Sequence, residues 1–235
     1  VIFARPDPAE SARVVIDGVL EKASLSLADI AYIVGTGYGR KSISFADTVE
    51  SEIVCHGKGA FWLMPEVRMV IDIGGQDAKA IRLDHTGNVV RFVYNDRCAS
   101  GTGRFLEVMA GAMDIPIEHM GEVSARACSP VNISNQCIVF AETEIISLIN
   151  AGTAVPDIVS GLHRSLAHRV AALARGIELE NEITMTGGVA KNAGMFSALE
   201  EALGRKLRKM ETDPQIIGAI GAALIARQAA NGGNQ

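Results

Sequence analysis

Positive charge is in short supply: 22 Lys and Arg stand against 27 Asp and Glu, a net charge of −5 over 235 residues. That balance argues against a nucleic-acid partner, which selects a basic surface. No apolar run approaches the ~20 residues needed to cross a bilayer, so no membrane partner is expected. The opening, VIFARPDPAE, lacks the basic-then-apolar order of an export signal and points to a cytoplasmic protein. The chain also opens without Met and enters at once on a strand-like VIFA, which points to an incomplete N-terminus. Cysteine is scarce: Cys55, Cys98, Cys128 and Cys137, with no C-x-x-C pair among them. In a chain of this size with no export signal a disulfide framework is not expected, which leaves buried thiols or metal ligation. Aromatic residues make up 5% of the sequence, whereas 24 residues are glycine and 48% are hydrophobic. That balance suits an α/β protein of one large or two small domains.

The glycines are concentrated in turns. Val70–Ile81 reads VIDIGGQDAKAI: a buried strand, a Gly74-Gly75 turn, and a second strand beginning near Ala78. Glycine lets bare backbone approach a phosphate, and the turn N–H groups form an anion-binding concavity. Asp72, at the end of the first strand, would face a magnesium ion through water. An ordinary hairpin with a Gly-Gly turn remains open at this point. A second glycine unit, TGGVAKN at 186–192, joins a short strand Ile183–Thr186 to a helix starting near Asn192. Strand, glycine loop and helix are a frequent way of holding a nucleotide, and two such turns can close on one nucleotide from two sides.

Helical periodicity marks Pro8–Ala23, Glu52–Trp62, Val139–Ile149, Val155–Arg175 and Pro214–Gln228. Strand patterns mark Asp29–Val34, Met69–Ile73, Ala78–Leu83, Val89–Tyr94, Val131–Ser134 and Lys206–Met210. In the helix at 139–149, Phe140, Ile145, Leu148 and Ile149 are expected inward. A glycine loop, Gly35–Arg40, either lines a ligand crevice or is a plain turn. His163 and His168 are five residues apart, off a common helix face, and read as solvated or core histidines rather than a metal pair. Pro65 suggests a boundary: residues 1–67 as one lobe, 68–213 as the second, and 214–235 as a helix packing back on the first.

Cys98 and Cys137 each precede a helix, whose N-terminus lowers a thiol's pKa and favours an anionic ligand set. Two thiolates per chain cannot supply the four that an iron–sulfur cluster takes, but two chains about a two-fold axis can. Inert buried thiols are the alternative for both. Cys55 and Cys128 read as structural.

DIGGQDAKAI (72–81), NDRCASGTGRFLEVMA (95–110), NQCIVFAETEIIS (135–147), TGGVAKN (186–192) and GAIGAAL (218–224) resemble the ATPases that activate 2-hydroxyacyl-CoA dehydratases. The same family supplies the ATP-binding subunits of benzoyl-CoA reductase. The resemblance runs over nearly the whole chain. It implies a two-lobed actin-like ATPase with ribonuclease H-like lobes and ATP and Mg²⁺ in the interlobe cleft. It also implies a homodimer, or a pair of paralogues, sharing one [4Fe–4S] cluster. By motif match Cys98 and Cys137 are the cluster ligands, and Asp72 (magnesium side) and Gln76 are the catalytic pair. Gly74, Gly75 and Gln76 contact the phosphates, and Gly187 and Gly188 hold the nucleotide from the other lobe. Asp77, Thr186 and Asn192 belong to the same nucleotide site, with Glu142 near the cluster helix and the cleft. A reduced ferredoxin or flavodoxin would charge the cluster, and ATP turnover would pass the electron to the dehydratase or reductase. The family's N-terminal hairpin, with its first phosphate loop, has no counterpart ahead of Arg5. An N-acetylhexosamine-type kinase of the same superfold is the rival reading. It would need an aspartate base, for which Asp77 and Asp96 are candidates. A non-catalytic nucleotide-sensing module is the other.

Overall fold

Asp7 starts the first helix: its carboxylate accepts the Ala9 N–H, and Pro8 fills the first turn of α1 (Pro8–Ala23). The computed structural model describes residues 1–95, 98–134 and 137–232. Beyond α1 the chain makes a short parallel pair, β1 (Val34–Gly35) and β2 (Thr48–Val49), and then α2 (Glu52–Leu63), capped by the Ser51 hydroxyl. The expected strand over Asp29–Val34 shrinks to the two residues of β1. Its first residue, Asp29, instead ends a 3₁₀ turn, Leu27–Asp29, closed by the Asp29 carboxylate on the Ser26 N–H and hydroxyl.

A five-stranded mixed sheet follows, built from β3 (Met69–Ile73), β4 (Ala78–Leu83), β5 (Val89–Asn95), β6 (Ile183–Thr186) and β7 (Leu207–Arg208). Its order is β5-β4-β3-β6-β7: β3–β5 form an antiparallel meander, while β6 runs parallel to β3 and β7 parallel to β6. Between β5 and β6 lie α3 (Gly103–Ala112), α4 (Met120–Ser124), α5 (Ile138–Asn150) and α6 (Val155–Arg175). Helix α7 (Ala193–Leu203) precedes β7, and α8 (Ile217–Gly232) follows it.

Strand alternation divides the core in two. Met69, Ile71, Ile73, Ala78 and Ala80 point to the face covered by α6 and its neighbours, where Ile158, Leu162, Leu166 and Val170 of α6 are all buried. Val70, Ile81 and Leu83 point to the other face and pack with Ala60 of α2 and Ile217 of α8. Helix α2 precedes the expected boundary near Pro65, yet it packs on the sheet that follows it. Helices α2 and α8 meet backbone to backbone. A Cβ on Gly221 would strike the Cys55 carbonyl, and one on Gly59 would strike that of Ile217. The small residues of α8 permit this approach.

Three further expectations are corrected. Phe140 is exposed, together with Val139 and Ile146; Ile145 is buried, and Leu148 and Ile149 pack against the core. Helix α5 is apolar on several sides, so its periodicity does not select one inward face. Residues 131–134 make no strand: Val131 N–H goes to the Asp157 carbonyl, and Ser134 N–H and hydroxyl go to the Glu144 carboxylate. Of Lys206–Met210 only Leu207 and Arg208 pair, at the sheet edge. Among the described residues no helix is long and apolar enough to cross a membrane.

Candidate functional site: two glycine turns beside a cysteine segment

Sheet register builds the centre of the site. Asp72, near the end of β3, lies opposite Lys79 of β4 and Thr186 of β6. All three are buried, on the face that α2 covers. The Thr186 hydroxyl donates to Asp72 Oδ1 at 2.9 Å. Its proton is thereby used, so it accepts from His56 Nδ1, 3.0 Å away on α2. The same nitrogen is 3.4 Å from Asp72 Oδ1. On the other side, Lys79 Nζ contacts the Asp77 carboxylate and lies 3.6 Å from Asp72 Oδ2. The glycine loop after β1 reaches this group, with the Tyr38 ring centroid 5.9 Å from Lys79 Nζ.

The two turns touch. Gly187 has φ +85°, and a Cβ there would collide with the Ile73 carbonyl and the Asp72 carboxylate. Only glycine fits both demands. Gly187 and Gly188 therefore do not come from another lobe, as expected above, but leave a strand next to β3 in one sheet. Gly75 and Gln76 are exposed at the tip of the first turn. The Gly74 N–H closes the hairpin on the Asp77 carbonyl at 3.0 Å. Asn192 caps α7 through the Met195 N–H, and its amide nitrogen lies 3.1 Å from His163 Nε2. Burial pushes the His163 pKa down to about 4.

The cysteine segments differ from each other. Cys98 caps a 3₁₀ turn, Ala99–Gly101, with α3 starting only at Gly103. Its thiol pKa is lowered first by the Ser100 hydroxyl, 2.9 Å from Sγ, then by the Ser100 backbone, with the Arg169 charge adding to both. The Ser100 hydroxyl thus adds to the backbone donor that the start of the turn supplies to this thiol. Cys137 is the N-cap of α5 and is exposed. Glu142 is half-buried one turn further along. Cys55 is fully buried and its pKa is raised by desolvation. Cys128 is exposed in the segment after α4 rather than packed, where Asp157 of α6 holds its backbone N–H.

Carboxylates beside glycine turns fit a hydrated magnesium–nucleotide. Two accessible thiols on helix-capping positions fit half a cluster. Among the described residues no group of three or more His, Cys, Asp or Glu side chains gathers as a metal site within the chain. Asp96 lies outside the described residues. His56 and Lys79 were missed by the sequence reading. The signal for Lys79 was present: alternation puts it on the inward face with Ile81 and Leu83, an anomalous place for an ammonium.

A mixed sheet with touching glycine turns, packed between helices on both faces, defines an ATPase of the actin-like class. Residues 3–226 match the BadF/BadG/BcrA/BcrD ATPase family, and the chain belongs to that family. It is 47% identical over 215 residues to the activator of lactoyl-CoA dehydratase of Anaerotignum propionicum, covering 92% of this chain and 83% of that protein. It is 46% identical over 214 residues to the (R)-2-hydroxyglutaryl-CoA dehydratase activating ATPase of Acidaminococcus fermentans, covering 90% and 81%. The solved activator of 2-hydroxyisocaproyl-CoA dehydratase from Clostridium difficile, with bound ADPNP, superposes with TM-score 0.91 at 40% identity, covering 94% of this chain and 82% of that one.

Proposed function

We propose that this chain is an ATP-driven electron activator of a 2-hydroxyacyl-CoA dehydratase, with a benzoyl-CoA reductase as the alternative client. Two copies, or two close paralogues, share one [4Fe–4S] cluster on Cys98 and Cys137 of each. The electron donor is a cytoplasmic ferredoxin or flavodoxin. One observation carries the reading: the start of α3 is hydrogen-bonded to the phosphate turn. Gly103 N–H donates to the Gly74 carbonyl at 2.8 Å, and Arg104 N–H to that of Gly75 at 3.0 Å. Cys98 lies five residues ahead of Gly103 on the same connection.

The division of labour follows from these contacts. Gly75 and Gln76 present backbone and amide to the phosphates. Asp72, oriented by Thr186 and His56, receives the magnesium ion's water shell. Gln76, the exposed polar side chain at the turn, positions the attacking water. Any displacement of the turn is passed through the Gly74 and Gly75 carbonyls to the start of α3, and so to the Cys98 segment. Exposed Val139 and Phe140, beside Cys137, supply apolar surface for a second copy. When bound, the cluster supplies one-electron chemistry at a potential set by ligand hydrogen bonds and solvent exposure. Asp77, a candidate base for the kinase reading, is buried and paired with Lys79, which supports the activator instead.

Anaerobic purification, with iron and sulfide counted per dimer, tests the assignment. Cys98→Ser and Cys137→Ser are expected to lose the cluster; Cys55→Ser and Cys128→Ser retain it. A cluster that survives Cys98→Ser overturns the ligand set.

A further inference from the structure

The buried charges beside the phosphate turn do not balance. Asp72 and Asp77 face a single ammonium, Lys79, and each of the three residues is 4% exposed. The formal charges of these three side chains sum to −1 where little water screens them, and so attract a cation. The two oxygens of Asp72 are not equivalent. Oδ1 is held by the Thr186 hydroxyl and lies near His56, whereas Oδ2 has, among the described residues, just the looser, 3.6 Å approach of Lys79. Asp72 Oδ2 is therefore the oxygen able to change partner. Asp77 is tied to the turn itself: its carbonyl accepts the Gly74 N–H, and its carboxylate lies where a Cβ on Gly74 would come within 3.1 Å of it. The Lys79 backbone is fixed in the sheet, but its ammonium ends a flexible four-carbon stem beside the turn.

We propose that Lys79 is an internal counter-ion: it holds Asp72 Oδ2 until a magnesium–nucleotide arrives, yields that oxygen to the metal's water shell, and turns its ammonium to a phosphate oxygen at the Gly74-Gly75 turn. The inference rests on the nucleotide reading given above. It makes nucleotide affinity depend on the metal twice over. Magnesium neutralises phosphate charge, and it also releases the lysine. The Tyr38 ring, its centroid 5.9 Å from the same ammonium, adds cation–π stabilisation.

Calorimetric binding of ADP across a magnesium series tests the assignment without reference to turnover. Lys79→Met strands two buried carboxylates, so Asp77→Asn/Lys79→Met, which removes the charges as a pair, is measured beside it. Both are checked for fold by circular dichroism. Two results together are expected. Affinity for ADP at saturating magnesium falls about tenfold to a hundredfold, the loss of one charge-assisted hydrogen bond. The magnesium concentration giving half-maximal nucleotide binding also falls, because the competitor for Asp72 is gone. A double variant with ADP affinity within about twofold of the parent, or with an unshifted magnesium midpoint, overturns the proposal and leaves Lys79 a structural ion pair. A double variant that does not fold does the same, since the pair would then serve stability. A parent chain that binds no ADP at all removes the nucleotide reading, and this one with it.

Discussion

The Gly74-Gly75 turn and the Cys137 edge are built on opposite plans. Around the turn, Asp72, Asp77, Lys79 and Thr186 are buried and joined to one another, and Gly187 leaves no space for a single added carbon. At the other edge, Cys137 is exposed, and the residues after it present Val139 and Phe140 outward. The difference teaches that one region has its partners within the chain, while the other leaves apolar side chains facing outward, the surface on which the proposed second copy would sit. Between them lies the α3 connection, which belongs to both.

The comparison can be broken from the inside first. Gly187→Ala places a Cβ against the Ile73 carbonyl and forces alanine into a glycine-only backbone region. Strain and overpacking together are expected to cost about 3–4 kcal/mol, seen as a fall of roughly 6–16 °C in melting temperature. The interior also has a pH dependence. His163 ionises near 6.5 when unfolded but only near about 4 when folded, because burial disfavours its charge. The unfolded chain therefore binds the extra proton first as pH falls. Stability present above pH 6.5 is lost on descending towards 4, by about 3 kcal/mol in all. Denaturant midpoints measured stepwise from pH 7 to 4.5 check this, and His163→Gln should flatten the slope. At the outer edge, Phe140→Asp should leave monomer stability within about 0.5 kcal/mol, since the ring is exposed. It should nevertheless weaken self-association more than about tenfold by analytical ultracentrifugation, as expected for a buried aromatic anchor. An unchanged association constant would show that α5 is not the contact surface. The smallest effect falls on the connection: in cluster-free protein, Ser100→Ala should raise the pH midpoint of Cys98 alkylation, by removing the hydroxyl that stabilises the thiolate.

Local rules carried much of this fold. Helix α1 begins at the Asp7–Pro8 signal and α6 runs from Val155 to Arg175, as their periodicity and prolines indicate. The meander and both glycine turns were readable from alternation and Gly-Gly spacing. The two-residue strands were not, because pairing at β1 and β7 is decided by neighbours, and at residues 27–29 a side-chain cap prevails over an apolar run. The outward turn of Phe140 was hidden for a related reason: a helix apolar on several sides gives no single pattern from which to choose. Cys98 and Cys137 were marked as candidate ligands by their places ahead of helices, and the resemblance singled them out from inert buried thiols. The thiol chemistry of Cys98 depends on Ser100, two positions away in the sequence, yet its importance emerges only once the 3₁₀ turn folds the hydroxyl back. Lys79 and His56 became legible through register, which sets β4, β6 and α2 around Asp72.

The glycine contact between α2 and α8 has a consequence for how the chain is made. Gly59 and Gly221 lie about 160 residues apart in order of synthesis, so at roughly 5–20 residues per second α2 leaves the ribosome some 8–30 seconds before its mate. During that interval the sheet face carrying Val70, Ile81 and Leu83 has half its cover. A nascent chain stalled before residue 217 should therefore recruit holding chaperones that the released protein does not.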